Sequence, residues 1–329
     1  MIVETTSRIQ VTLQNREGQA ARDRAELRAG LLRTPREIPS RFFYDDRGSR
    51  LFERITELPE YYQTRTEHAL LLAIADRVVA ASGAEELVEI GSGAATKTRA
   101  LLDAMARTGR LRLYAPVDVA EGTVRRIADE LAAEYPGLAV HGVVGDFTAA
   151  IDALSSNHRG RRLVIFLGGT IGNLQPDEAR ELLARRHREM TPGDHFLLGV
   201  DLIKPVPRLE AAYNDAAGIT AEFNRNILRV VNRLTGGDFQ PAAFRHLAFY
   251  DSRQRWIEMR LRAASRQHVR LPAIELEIDL APGEEIRTEI SAKYDRASTE
   301  ALLASAGFAP VAWYTDPGQL FGLSLARRT

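Results

Sequence analysis

Short apolar runs at 87–90, 112–117, 139–144, 162–167 and 195–200 have the length of buried strands. The stretches between them, near 96–107, 121–134 and 177–189, repeat apolar residues every three or four positions, as amphipathic helices do. Strands alternating with helices of this length predict a parallel, doubly wound α/β sheet. Upstream, helical spacing covers 19–33, Ser49 to Glu57 and Thr66 to Ala81; Pro35, Pro39, the aromatic stretch Phe42-Phe43-Tyr44 and the turn at Pro59 separate these segments. Two apolar runs close the pattern, Phe308–Tyr314 and Phe321–Ala326. They are joined by Thr315-Asp316-Pro317-Gly318, which predicts a hairpin.

Between about 202 and 293 the alternation stops. Residues 207–234 read as helix, and 248–262 and 268–277 as antiparallel strands. A segment this long forms a second lobe inserted before the final hairpin. The expected division is therefore 66–201 with 294–329 as one domain, and 20–65 with 202–293 as the other.

The run Leu87-Val88-Glu89-Ile90 leads into Gly91-Ser92-Gly93 and then a helical pattern. Glycines let the backbone turn sharply and approach a ligand, and the following helix start offers unpaired N–H groups, so this is a nucleotide-type site. A dinucleotide fingerprint wants a third glycine at position 96, where Thr96 stands. Glu89 before Gly91 and Ala95 after Gly93 fit the first motif of S-adenosylmethionine (AdoMet) methyltransferases better, as does an antiparallel hairpin closing a parallel sheet. Asp118, ending the second strand, can accept ribose hydroxyls. Asp146 can accept an adenine amino group, and Phe147 can cover the ring face. Lys97 is a candidate for the methionine carboxylate, or a solvated helix lysine. The fold expected is a class I AdoMet-dependent methyltransferase (Rossmann-like) sheet with a C-terminal antiparallel hairpin, plus an α+β substrate-binding lobe.

Composition narrows the alternatives. Formal net charge is zero, so no global field draws the chain to nucleic acid or an anionic membrane, and clusters such as Arg185-Arg186-His187-Arg188 read as solvated faces. The absence of cysteine excludes disulfides, zinc–thiolate sites and cysteine nucleophiles. Met1 to Gly18 is polar, without an apolar signal core, and no run reaches membrane-spanning length. A cytoplasmic monomer that uses no metal is expected.

The segment Phe166-Leu-Gly-Gly-Thr-Ile-Gly-Asn-Leu174 resembles the histidine-specific N-α-methyltransferases of ergothioneine biosynthesis, and the likeness runs over roughly 20 to 329. It is carried also by Phe43-Tyr44-Asp45, Gly48-Ser49-Arg50-Leu51-Phe52, Leu58-Pro59-Glu60-Tyr61-Tyr62, Thr64-Arg65-Thr66-Glu67, Gly91-Ser92-Gly93, Asn224-Arg225-Asn226, Thr288-Glu289-Ile290-Ser291 and Trp313-Tyr314-Thr315-Asp316-Pro317.

The resemblance implies that L-histidine is trimethylated at its α-amine to hercynine, with AdoMet leaving as S-adenosylhomocysteine. It implies that Asn173 and Tyr213 hold the substrate carboxylate, as neutral partners that add no positive charge beside the sulfonium. Glu289 and Ser291 would hold the imidazole. Residues at i and i+2 on a strand share a face, and serine can donate to or accept from the second ring nitrogen. Tyr61 would complete the ring pocket, directly or through water, and Met259 would touch the ring or belong to the core. Tyr44, Phe52, Gly168 and Thr170 would surround the reacting nitrogen. Three rivals stay open: a relative acting on tryptophan or another amino acid, a dinucleotide oxidoreductase, and a silent AdoMet-binding module.

Overall fold

The computed structural model describes residues 2–5, 8–13, 18–93, 95–145 and 160–329. The chain forms two compact units, with elements numbered along the sequence. Unit 1 comprises Met1–Asn15, Arg65–Leu202 and Tyr294–Thr329; unit 2 comprises Arg16–Thr64 and Ile203–Lys293.

Unit 1 is built on one nine-stranded sheet in the order β1-β2-β6-β5-β4-β7-β8-β15-β14. The strands are β1 (Ile2–Thr5), β2 (Ile9–Leu13), β4 (Glu86–Ile90), β5 (Leu113–Asp118), β6 (Ala139–Val144), β7 (Arg162–Phe166), β8 (His195–Asp201), β14 (Phe308–Thr315) and β15 (Phe321–Arg328). From β2 to β8 all pairings are parallel, while β15 runs antiparallel to both β8 and β14. The order reverses at β4, with β5 on one side and β7 on the other. That is the switch point at which a doubly wound sheet opens a crevice beyond the carboxyl ends of its strands.

Both faces of this sheet are covered, which is why its inner strands are continuous apolar runs. On β4, Leu87 packs with Leu71 and Ile74 of α3 (Gln63–Ser82), Leu101 of α4 (Arg99–Arg107) and Leu131 of α5 (Glu121–Glu134). Val88 and Ile90 face the other way, toward Leu182 and Leu183 of α6 (Pro176–Glu189) and Leu303 of α9 (Arg296–Ser305). The N-terminal strands were not anticipated, although Ile9, Val11 and Leu13 alternate with polar residues; β2 lies parallel along β6 and extends the sheet beyond it.

Unit 2 contains α1 (Gln19–Leu31), α2 (Asp46–Thr56), α7 (Val206–Ala211), α8 (Ile219–Thr235) and a four-stranded sheet ordered β3-β13-β10-β9. Its strands are β3 (Arg36–Glu37), β9 (Phe244–Asp251), β10 (Trp256–Ala263) and β13 (Glu285–Ala292); β11 (Gln267–Leu271) and β12 (Leu276–Leu280) form a separate hairpin.

Three expectations need correction here. The helix expected over 207–234 is two helices, because the Asp215 carboxylate caps the amides of Ile219 and Thr220 (each 2.8 Å) and Gly218 sits in the left-handed region at φ 72°. The strand expected over 248–262 is the β9–β10 hairpin; Asp251 accepts the Arg253 and Gln254 amides, which folds the turn. The strand expected over 268–277 is split by a short 3-10 turn at Pro272–Ile274 into β11 and β12. No helix among the described residues is long and apolar enough to cross a membrane.

Candidate active site

In unit 1 the expected nucleotide turn lies at the switch point. Gly91 and Gly93 have φ of 69° and 48°, where a side chain would strain the backbone. A Cβ built on either would meet no atom within 4 Å, so the turn borders open space. The Gly91 amide donates to the Val117 carbonyl and the Gly93 amide to Asp118 Oδ2, both at 2.9 Å. Asp118 Oδ1 accepts the Ala120 amide at 3.0 Å. Its carboxylate thus holds the loop in shape, and the remaining lone pairs can serve ribose hydroxyls. Ser92 Oγ is buried and no described residue bonds to it, the state expected of a group that completes its bonding with a ligand. Asp146 and Phe147 lie outside the described residues.

Glu89 is buried under this turn, where Thr98 donates to it at 2.6 Å and the Tyr114 hydroxyl also donates. Burial dominates and pushes its carboxyl up to about 7, against the lowering effect of those two bonds and of Lys97. Lys97 itself pairs with Glu67, a fully buried carboxylate that also accepts the Gly168 amide. Gly168 is exposed at φ 76°, and Thr170 Oγ1 donates to the Leu167 carbonyl at 3.0 Å. Asn173 ends the 3-10 turn Thr170–Asn173, half-buried. Gly168, Thr170 and Asn173 therefore share the loop that leaves β7 at the carboxyl edge of the sheet.

In unit 2 an aromatic cluster gathers Tyr44, Phe52, Tyr61, Phe43 and Phe223. Tyr44 and Phe52 meet edge-on with centroids 5.7 Å apart, Phe52 and Tyr61 at 6.1 Å, and Phe43 stacks on Phe223 at 4.5 Å. Tyr44 remains 41% exposed, leaving part of its ring open to a ligand. Asp45 fixes this corner by accepting from the Gly48 amide and Asn226 Nδ2 (2.8 Å each) and from Arg233 (2.9 Å).

On β13, Glu289 and Ser291 share a face, and Met259 of β10 stands directly opposite Glu289. Glu289 keeps some accessible surface, yet its carboxyl lies deep enough that burial pushes it up to about 7, with only the Lys293 charge pulling it down. Among the described residues no hydrogen bond reaches that carboxylate. Ser291 Oγ lies 2.8 Å from the Tyr213 hydroxyl, joining two residues seventy-eight positions apart.

The profile of histidine-specific, SAM-dependent methyltransferases matches residues 23–328. This chain belongs to that family. It is 49% identical over 305 residues to the histidine N-alpha-methyltransferase of Mycolicibacterium smegmatis, covering 93% of this chain and 94% of the relative. It is 45% identical, with the same coverage, to the histidine N-alpha-methyltransferase of Mycobacterium tuberculosis. Ergothioneine biosynthesis protein 1 of Neurospora crassa is 31% identical over 90% of this chain, which spans 33% of that longer protein.

Two residues of this methyltransferase were missed in the sequence. Glu67 was legible only as part of the quoted run Thr64-Arg65-Thr66-Glu67, and its bond to Gly168 crosses 101 positions. Lys293 stands four residues beyond Glu289 and is 3% exposed. Its ammonium lies 2.7 Å from Ser291 Oγ and 3.0 Å from the Tyr213 hydroxyl. The expectation that Tyr213 and Asn173 add no charge to the site is therefore amended: Tyr213 carries a cation on its oxygen. Period-two spacing from Glu289 through Ser291 to Lys293 was the available signal.

Proposed function

We propose that this protein transfers methyl groups from AdoMet to the α-amine of L-histidine, three times in succession, to give hercynine. The observation that supports this reading most directly is the Glu289 carboxylate, held half-buried on one strand face with Ser291 and awaiting a donor. An imidazole ring N–H is such a donor, and Ser291 suits the second ring nitrogen. Family membership and the 49% identity to a histidine N-alpha-methyltransferase point to the same substrate.

The residues at the switch point fit AdoMet. The open glycine turn, the Asp118 carboxylate and the orphaned Ser92 hydroxyl are those of a nucleoside and amino-acid site. When bound, AdoMet supplies an electrophilic sulfonium methyl. The protein's task is then to align the amine and keep its lone pair bare, since alignment converts a bimolecular encounter into a positioned one. In this reading Tyr213 and Asn173 take the carboxylate, and the Gly168 carbonyl and Thr170 hydroxyl accept amine hydrogens. Tyr61 and Met259 border the ring. A peptide α-amine has a pKa near 8 and a free amino acid's lies higher, so the neutral nucleophile must be favoured by the site, and the neighbouring sulfonium cation lowers the amine pKa in that direction. Tyr44 and Phe52 present aromatic faces that suit the quaternary ammonium product.

Mass spectrometry of histidine incubated with the protein and AdoMet tests the proposal. A product heavier by three methyl groups is expected. Methylation of tryptophan but not histidine would transfer the reading to another amino acid, and no product despite tight AdoMet binding would indicate a silent module.

A further inference from the structure

Tyr213, Ser291 and Lys293 form a triangle inside unit 2. The Lys293 ammonium donates to Ser291 Oγ at 2.7 Å and to the Tyr213 hydroxyl at 3.0 Å, and the two hydroxyl oxygens lie 2.8 Å apart. Lys293 is 3% exposed, Ser291 6% and Tyr213 7%, so water plays little part in setting the direction of these bonds.

An ammonium has three hydrogens and no acceptor, so both hydroxyl oxygens must act as acceptors toward it. The phenol is the stronger acid of the two hydroxyls. Its oxygen is the poorer acceptor and is already engaged by Lys293. The Tyr213 hydrogen therefore points to Ser291, and the Ser291 hydrogen is not drawn back. With Lys293 and Tyr213 on its two lone pairs, Ser291 has a filled acceptor side and one hydrogen to give. If the Tyr213 hydroxyl turns to a carboxylate, one Ser291 lone pair opens, but the Lys293 ammonium still on the other disfavours a second N–H donor there and keeps the bare nitrogen the better partner. Two positions back on the same strand face, Glu289 is an acceptor.

We propose that Lys293 is a positioning residue that fixes Ser291 as a hydrogen-bond donor, so that the site selects a ring offering one N–H and one bare nitrogen. This rests on the assignment of Glu289 and Ser291 to the substrate ring, and it adds what that assignment leaves open: the direction of the serine bond. Neutral imidazole satisfies both partners at once. Imidazolium has no bare nitrogen and brings a second cation toward Lys293, while indole and pyrrole have an N–H only. Without Lys293, no ammonium fixes the direction of the bond between the two hydroxyls, and Ser291 can accept as readily as donate, so it no longer demands the bare nitrogen.

The test compares calorimetric affinities for histidine and for the 2- and 3-linked pyrrolylalanines, in the presence of S-adenosylhomocysteine. Each pyrrolylalanine keeps one ring N–H and lacks the second nitrogen. The wild-type protein should favour histidine over the better pyrrole by roughly tenfold to a hundredfold, the worth of a buried serine bond that the pyrrole leaves unmade. Lys293→Met should bring that ratio to within about threefold, because its serine is no longer held as a donor. Ser291→Ala, which keeps Lys293 against Tyr213, should do the same, and it covers the case in which the lysine variant does not fold. A wild-type ratio retained in a folded Lys293→Met, judged by unchanged S-adenosylhomocysteine affinity, would overturn the inference alone. A wild-type protein that binds histidine no better than the pyrroles would overturn the imidazole assignment as well.

Discussion

The Glu67 carboxylate accepts the backbone N–H of Gly168 with both oxygens, at 2.8 and 3.0 Å, while pairing with Lys97. A buried side chain of α3 thereby sets the loop whose other members, Thr170 and Asn173, are candidate substrate ligands. Glu67→Gln keeps the shape but leaves Lys97 without its counter-charge. Since Lys97 is 22% exposed, the expected loss is about 1–3 kcal/mol, below that of a fully buried pair. Urea denaturation reads the stability, and kcat should fall with it because the loop is displaced. Gly199→Ala attacks the same contact from β8: its Cβ would lie 2.5 Å from Glu67 Oε1 and 3.3 Å from the Leu167 backbone. Unchanged kcat in both variants would mean the loop does not depend on Glu67.

Glu289 must be a carboxylate to accept a ring N–H, and burial holds it near 7. Histidine binding should therefore strengthen as pH rises through about 7, on top of any change from deprotonation of the ligand's own ring near 6.5. Glu289→Gln should remove the upper step and leave the lower. Glu289→Ala should weaken histidine by about 1–3 kcal/mol and relax the choice toward tryptophan. Calorimetry across pH 5.5 to 8.5 measures both effects, and an upper step persisting in Glu289→Gln would exclude this residue.

Glu89 predicts a stability trend of definite sign. Its pKa of about 7 in the folded protein exceeds the ordinary value of 4.5, so between those pH values the folded state holds a proton that the unfolded chain has released. Stability from this group is present below that window and falls as pH rises through it, by an amount on the order of a few kcal/mol at most. Glu289 adds a slope of the same direction. Glu89→Gln should flatten the wild-type decline between pH 5 and pH 8 without abolishing it, as read from urea midpoints at each pH.

Asp45 works in the opposite sense. Burial raises its pKa, but the Gly48 amide, Arg233 and Asn226 outweigh it and leave the value lowered. Its contribution is present above the ordinary carboxylate range and is lost as pH falls through the depressed folded value. Asp45→Ala removes the cap of α2 and the tie to α8, for an expected cost of about 1–3 kcal/mol at neutral pH. The wild type and the variant should converge in stability as pH falls through that depressed value; a gap that stays constant with pH would mean that the carboxylate charge contributes nothing.

Much of unit 1 was legible because period two and period 3.6 differ sharply when strands are buried on both faces; α5 and β6 fall on the expected residues. Unit 2 was harder to read because its breaks are made by side chains. Asp215 caps a new helix inside a helical run, and Asp251 folds a hairpin turn inside a run of strand-like residues. Resemblance named Tyr213 and Ser291 but did not show that they touch, since that bond joins residues seventy-eight positions apart in the sequence. Lys293, just past a strand, looks like an ordinary solvated lysine until the strand's burial is known.

The place of β15 bears on how the protein is made. Residues 321–328 are laid between β8 and β14, yet β8 ends at Asp201 and all of the second segment of unit 2 is synthesised in between. At ribosomal speeds that interval lasts roughly 10 s. Throughout it the buried apolar residues of β8 border an unpaired backbone edge, the kind of surface on which nascent chains associate wrongly. Yield at high expression should thus depend on what shields that edge during translation, with chaperone supply mattering more than the stability of the finished enzyme.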